Sequence, residues 1–414
     1  MDSRPDIARA AAEAAARESY GKLVAWLAAR TRDVAAAEDA LADAFAAALE
    51  RWPRTGVPEK PEAWLLAVAR RRRVDAVRRR LTSEAGRDHL KLIAEEAEAR
   101  MTDEDLPDER LRLMFACAHP AIESGVRAPL ILQTILGFDA ATIASAFLLS
   151  PSTMGQRLVR AKSRIRETGI PFRVPERAEL GERLDAVLEA IYAAFAEGWS
   201  DPAGTETRRR NLATEGIWLG RLMASLLPGE PEALGLLALM LFAEARRAAR
   251  RDPAGEYVPL AEQDHALWDH ALVDEAEALL GRAATMGTIG RYQLEAAVQS
   301  AHAARRLSGR TDWEAIRGLY EALFSIVGSP VVAINRAVAI AETEGAVAGL
   351  AALYVLGDDK RLDDYQPYWA ARAGLLARLG QGPQAVEAYD RAIGLERDPA
   401  VRRFLQAKRA ALRQ

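Results

Sequence analysis

KPEAWLLAVARRRRVDAVRRRL, residues 60–81, is the stretch on which the reading of the whole chain turns. It starts as a buried helix, apolar all round from Trp64 to Ala69, and continues as a cationic one. At about 100° per residue, Val74, Val77 and Leu81 form a single narrow stripe. Seven arginines (70, 71, 72, 73, 78, 79 and 80) surround that stripe, with Asp75 the one acid among them. One end is anchored in a core and the other faces a polyanion. A plain solvated basic face is the other reading of such a run, and the neighbouring segments decide between the two.

The whole chain does not behave as a polyanion binder. Over 414 residues its net charge is −3, so any nucleic-acid contact comes from local clusters. Half of the residues are hydrophobic, enough for two or three domains with real cores. A lone cysteine, Cys117, rules out an internal disulfide and a cysteine-rich zinc site. The five histidines form no HExxH, and we expect no metal and no cofactor. The N-terminus lacks the apolar core of a signal peptide. No apolar run approaches the roughly 20 residues of a membrane span. The expectation is a soluble, cytoplasmic protein with no membrane partner.

Ala, Leu, Arg and Glu dominate and alternating β-branched runs are nearly absent, so the fold class is all-α. Residues 1–16 read as a frayed helix, and Tyr20, Leu23, Val24 and Leu27 make a stripe. Arg32-Asp33 is a turn. AAAEDALADAFAAALERW (35–52) carries Leu41, Phe45, Leu49 and Trp52 on one side and Glu38, Asp39, Asp43 and Glu50 on the other. The acidic side either balances the arginines or docks a partner. Residues 53–62 are a Pro-rich loop, and 82–107 an acidic linker.

A second helical unit ends on the most informative segment. Asp139 can cap AATIASAFLL, with Ile143, Ala144 and Phe147 inward. Ser150-Pro151 fits an N-cap followed by proline in the first turn. In the next helix Met154, Leu158, Ala161 and Ile165 form the buried stripe, opposite Thr153, Gln156, Arg157, Arg160 and Arg164. A short helix, a tight turn and a helix with a Thr/Gln/Arg face make a helix-turn-helix. Arg and Gln suit bidentate contacts with base edges, and the remaining cations suit phosphates. Beyond Gly169-Ile170-Pro171 the chain is helical to its end. There RAVAIAETEGAVAGLAAL (336–353) aligns with RAGLLARLGQGPQAVEAYDRAI (372–393) at an offset of 36, near the tetratricopeptide period. Asp264, His265, Trp268, Asp269 and His270 resemble a metal or catalytic cluster in composition, but their spacing fits helix packing better.

Taken together, these motifs resemble the extracytoplasmic-function (ECF) group of bacterial sigma factors, in particular the subgroup with a TPR-like C-terminal extension. FACAHPAI (115–122) and GIPFRVP (169–175) extend the resemblance over nearly the whole chain. It implies five segments: sigma region 2 at 1–81, a linker at 82–107, region 4 at 108–170, a linker at 171–179, and a TPR-like regulatory domain at 180–414. AEDALADAFAAAL (37–49) is similar to the part that docks on the polymerase clamp, which gives Glu38, Asp39 and Asp43 that role. PEAWLLAVARRRRVDAVRRR (61–80) is similar to the segments that melt and read the −10 element, which implicates Arg54, Lys60, Arg71, Arg72, Asp75, Arg78 and Arg79. Arg71 stands where the wider group has Asn. The last helix is similar to the −35 reader and implicates Ser152, Thr153, Gln156, Arg157, Arg160, Lys162 and Arg164. The implied partners are core RNA polymerase, through its clamp and flap, and promoter DNA. The extension either packs on the sigma regions or binds a protein.

Opening a promoter needs no covalent chemistry, only pockets for extruded bases and cations for phosphates. The loop residues Arg54, Thr55 and Lys60 are placed to cradle such a base. Trp64 reads as core rather than as a melting wedge. An autonomous helix-turn-helix regulator with a TPR-like sensor is the alternative, but it leaves Arg70–Arg80 and the acidic helix without a purpose. An enzyme is not indicated: the chain has no phosphate loop, metal spacing or nucleophile–base pair.

Overall fold

The computed structural model describes residues 4–80, 108–147, 149–199, 207–357 and 359–412. Among these there are nineteen α-helices and no strand, as an all-α composition requires. Two compact units comprise residues 1–198 with 208–216, and 199–207 with 217–414.

In the first unit α1 (Arg4–Thr31) is continuous and includes the segment expected to fray. It stops at Arg32, whose φ of 53° is left-handed. Asp33 then caps α2 (Val34–Thr55), its Oδ1 accepting the Ala36 N–H at 3.1 Å. The helix runs through Pro53 and ends at Gly56, so the expected loop is shorter than 53–62. A proline so near the C-terminus removes a single bond and leaves little helix beyond it to disrupt. The buried row of α2 is Val34, Ala37, Leu41, Ala44, Ala48 and Trp52, while Leu49, expected inward, is 51% exposed. Alanines form half of that row and let α1 and α3 (Pro61–Arg80) lie close against α2. Ser19 Oγ donates to Glu62 Oε1 at 2.5 Å and ties α1 to the start of α3. In α3 Leu65, Leu66 and Ala69 are buried but Ala67 is exposed, so its apolar half is one-sided rather than enclosed.

Four further helices complete the core of this unit: α4 (Arg110–Cys117), α5 (Ser124–Leu136), α6 (Ala140–Ala146) and α7 (Pro151–Glu167). Helix α5 is central and packs on α4, α6, α7 and α1. The crossing with α1 is close: a Cβ on Gly21 would lie 2.2 Å from the Ile135 carbonyl oxygen. The first unit does not stop at the expected linker. The part of α8 (Arg177–Trp199) up to Gly198 belongs to it, and Arg183 Nη2 donates to the Phe115 carbonyl oxygen at 2.7 Å.

The second unit is built around α10 (Pro231–Ala245), which is buried on nearly every side. Residues 217–226 of α9 (Thr207–Leu226), α11 (His270–Ala284) and α12 (Arg291–Ala303) pack around it. Gly290 has no side chain to cap α12, so Glu232 does so from α10, accepting the N–H groups of Tyr292 and Gln293 at 2.9 and 3.0 Å. After the single turn α13 (Arg305–Ser308), helices pack on their predecessors in series: α14 (Trp313–Val327), α15 (Pro330–Thr343), α16 (Ala346–Tyr354), α17 (Gln366–Arg378), α18 (Gly382–Leu395) and α19 (Pro399–Ala411). Helix α19 meets the loop at 251–257 through the Arg251–Asp398 pair, Arg403–Glu256 at 2.9 Å and an edge-on Tyr257–Phe404 contact.

Gly349 sits at the α15–α16 crossing, where a Cβ would meet the Ala341 Cβ at 2.4 Å. Gly349→Ala should therefore cost about 1–3 kcal/mol through overpacking. Gly281→Ala, in the last turn of α11 with nothing within 4 Å of its Cβ position, should stabilise by about 0.5–1 kcal/mol. Urea unfolding of the full chain checks both. His302 is half-buried, edge-on to Trp313, and its desolvation beside Arg246 and Arg305 pushes its pKa down to about 4. Because the unfolded form takes up a proton near pH 6.5, this residue's contribution to stability is complete above that pH and is lost as pH falls to about 4. The loss should amount to about 3 kcal/mol, and His302→Phe should remove it from the pH profile of unfolding.

Candidate nucleic-acid interface

Helix α7 is set by its first residues. Ser150 Oγ accepts the Thr153 N–H at 3.1 Å, and Pro151 follows in the first turn. Met154, Leu158, Ala161 and Ile165 are the buried residues, the four expected. Before it, Asp139 Oδ1 accepts the Thr142 N–H at 2.7 Å at the start of α6. Ile143 and Ala144 face inward and Phe147 is half-buried. The outer side of α7 presents Ser152, Gln156, Arg160 and Arg164 to solvent, with Thr153 and Arg157 half-buried. Arg157, Arg160 and Arg164 line an open groove of about 290 Å³ against Ala121, Ile122, Glu123 and Val126 from the α4–α5 connection. Three guanidinium groups around one groove make a local anion-attracting surface on a nearly neutral chain.

Lys162 is not part of that surface, contrary to its expected place among the reading residues. Its position in the helical repeat turns it inward toward α2, where Nζ pairs with Glu38 Oε2. Both side chains are largely buried, 12% and 13% exposed. Glu38 is accordingly withdrawn from the acidic face of α2, while Asp39 and Asp43 remain exposed. Burial raises the Glu38 pKa and the Lys162 ammonium opposes the rise. Its second oxygen, Oε1, has no hydrogen-bond partner among the described residues. Arg166 adds a more exposed pair with Asp33 at 3.6 Å. Below lies Cys117, fully buried, in contact with Thr134 Oγ1 at 3.5 Å and with its pKa raised to about 12 by burial.

On the other cationic helix, Arg71 and Arg72 are exposed and Arg70 lies 5.5 Å from the Trp26 ring centre. Arg54 and Lys60 are exposed at the two ends of the α2–α3 connection, Arg54 on the last turn of α2 rather than in a loop. Asp75, Arg78 and Arg79 lie on the backbone of α3, but their side chains are outside the described residues. The acidic stretch 82–107 is likewise outside the described residues. Trp64 meets the buried Trp52 edge-on with ring centres 5.4 Å apart, which is a packing role. Leu49 was missed as a surface residue. Its exposure beside Glu50 adds an apolar contact to the acidic face, and the alanine-based core row of α2 was the signal for it.

The Asp/His segment of the second unit is used in structure. Asp264 Oδ1 accepts the Ala266 N–H, and Asp269 Oδ1 accepts those of Ala271 and Leu272. His265 packs edge-on against Trp268, and the His270 ring meets Arg306. Among the described residues no cluster of His, Cys, Asp and Glu is arranged to hold a metal, and no helix is long and apolar enough to cross a membrane.

Sigma-70 region 2 matches residues 16–82, which cover most of α1, α2 and the whole of α3. This match supports a sigma-70 family factor. It supports a sigma-factor-like role in promoter recognition by RNA polymerase, with core polymerase and promoter DNA as contacts, and points to a transcription factor. A family of unknown function (DUF6596) matches residues 183–284, starting within α8 and ending at the last residue of α11. An uncharacterized protein of Rhizobium meliloti is 40% identical over 369 residues, 88% of this chain and 87% of its own length. No solved structure matches the chain.

Ser150→Ala should lower the stability of the first unit by about 1 kcal/mol, because the Thr153 N–H loses its acceptor, whereas Ser150→Asp should retain it. Thermal unfolding of the two variants side by side is the check.

Proposed function

We propose that this chain is an ECF-type sigma factor that directs core polymerase to promoters and aids −10 melting. In this reading Asp39 and Asp43, with Leu49 beside them, dock on the polymerase clamp. Arg54, Lys60, Arg71, Arg72, Asp75, Arg78 and Arg79 serve the −10 element. Helices α6 and α7 are the helix-turn-helix of region 4, with Ser152, Thr153, Gln156, Arg157, Arg160 and Arg164 at the −35 element. The observation that carries the reading is the combination of a region 2 match over α1–α3 with a capped helix whose outer face is Gln/Arg. Neither part alone would suffice, since a solvated cationic helix is common.

The C-terminal helices are read as a TPR-like modulator. Support comes from two consecutive helical hairpins, α15–α16 and α17–α18. Ala337 and Ala373, and Gly349 and Ala385, occupy positions 36 residues apart and are buried in each. Small residues at matching crossings are what a stacked helical repeat requires.

Run-off transcription with bacterial core polymerase on the gene's own upstream DNA tests the reading. Promoter-specific transcripts should depend on the protein, and Asp39→Lys with Asp43→Lys should abolish core binding while the helical content survives. Arg160→Ala should cost about 1–3 kcal/mol at the −35 element if Arg160 reads a base, with discrimination against altered −35 sequences reduced. Equal loss on all DNA would make it a phosphate contact. Duplex binding without polymerase, and no transcription with it, would favour an autonomous regulator.

A further inference from the structure

The second unit holds a cleft of about 170 Å³ whose wall includes His265, Trp268, His302 and Trp313, together with Arg305. Two turns and a helix end bring these side chains to one place. The 3₁₀ turn His265–Leu267 is started by Asp264, and residues three apart on such a turn stack. His265 and Trp268 therefore fall on one side, edge-on, with ring centres 5.1 Å apart. The Asp269 N–H donates to the Ala245 carbonyl oxygen at 2.8 Å and fixes this segment to the end of α10. His302, on the last turn of α12, meets Trp313 at the start of α14, also edge-on, with ring centres 5.7 Å apart. Arg305 of α13 joins the two halves, one of its guanidinium N–H groups donating to the Ala261 carbonyl oxygen.

Three features of the cleft call for a ligand. Trp268 is only 6% exposed, and its Nε1–H has no hydrogen-bond partner among the described residues. A donor that has left water without finding an acceptor is costly, and an acceptor brought in beside it offsets that cost. The local charge has one sign. Desolvation, with Arg246 and Arg305 adding repulsion, lowers the His302 pKa to about 4, so the imidazole is neutral at pH 7. No carboxylate lines the cleft, and the guanidinium of Arg305 is the cation at its wall. The space is that of one ring, since an apolar cavity of roughly 150 Å³ takes benzene. Tryptophan faces and edges favour an aromatic ring over a saturated one of equal size.

From this we infer that the cleft binds a single-ring aromatic carboxylate, its ring packed among Trp268, Trp313 and the two imidazoles and its carboxylate on Arg305. A guanidinium fork matches both oxygens of a carboxylate at once, which a lone ammonium does not. Neither half of such a ligand suffices by itself. A ring without charge leaves Arg305 without its partner, and a carboxylate without a ring leaves the aromatic wall uncovered. The site stands apart from the sigma-factor reading, and its test needs no polymerase.

The experiment is a saturation-transfer NMR titration of the full-length protein with sodium benzoate. It is run in about 150 mM salt, where loose attraction to exposed arginines is screened. Acetate supplies the charge without the ring, benzamide the ring without the charge, and cyclohexanecarboxylate the charge on a saturated ring. Benzoate should bind with a Kd of about 0.1–1 mM, the range open to so small a ligand. Acetate and benzamide should each bind at least about tenfold more weakly, and cyclohexanecarboxylate about threefold more weakly. Arg305→Gln should weaken benzoate by about tenfold or more, and Arg305→Lys, which keeps the charge but not the fork, by less. Trp313→Leu leaves the Arg305–Ala261 contact in place and should also weaken benzoate. It decides the matter if circular dichroism shows that Arg305→Gln has lost helix.

No binding of benzoate up to about 10 mM, far above the expected Kd, would overturn the site and leave the cleft a packing gap. Equal binding of benzamide would overturn the assignment of an anion. Benzoate affinity unchanged in both Arg305→Gln and Trp313→Leu would place the ligand elsewhere on the protein and overturn the site as well.

Discussion

The close approach of α1 to α5 at Gly21 is the constraint on which the first unit depends. Packed helix axes lie 8–10 Å apart depending on the side chains at the contact, and here even a methyl would collide with a carbonyl oxygen. That approach brings α7 alongside α2, lets Lys162 reach Glu38, and seals Cys117 and Thr134 beneath. The same principle recurs in the core row of α2, where Ala37, Ala44 and Ala48 let three helices converge, and in the second unit at Gly349. A chain this rich in alanine is close-packed through backbone proximity more than through large interlocking side chains.

Small-residue cores have little side-chain specificity, so the boundaries of helices carry more of the information. Asp33, Asp139, Ser150, Asp269, Asp312, Ser329 and Asp398 each accept backbone N–H groups at a helix start. These caps decide where one helix stops and the next begins, and with that the register of the apolar face that follows. Where the local sequence offers no cap, as at Gly290, a distant carboxylate supplies it. The cluster of Asp and His near residue 265 belongs to the same system of helix starts, which explains a composition that would otherwise suggest chemistry.

Charge is distributed with the same economy. On a chain of net charge −3, α3 and α7 carry clustered arginines and α2 carries the exposed acids Asp39, Asp43 and Glu50. The region 2 match covers α2 and α3, two of the helices that carry these charges. The first helix of the segment shared with the family of unknown function belongs to the same compact unit as α1–α7, held by the Arg183 guanidinium on the Phe115 carbonyl oxygen.

Local signals determined much of this without coordinates. Period and composition specified the all-α class, and Ser150-Pro151 with the Met154, Leu158, Ala161, Ile165 spacing specified α7, because capping and amphipathic burial act within a few residues. The arginines of α3 and the acids of α2 were legible for the same reason. Tertiary structure decided the rest. Leu49 was read as core because it is leucine, but α1 and α3 approach the alanine side of α2 and leave it exposed. The extension of the first unit past residue 170 depended on an arginine 68 residues from its acceptor. Lys162 was grouped with the arginines of its own helix by charge alone. Its ion-pair partner is 124 residues away, and which of two cations on one helix turns inward is settled by the neighbour that packs there, a contact no local pattern encodes.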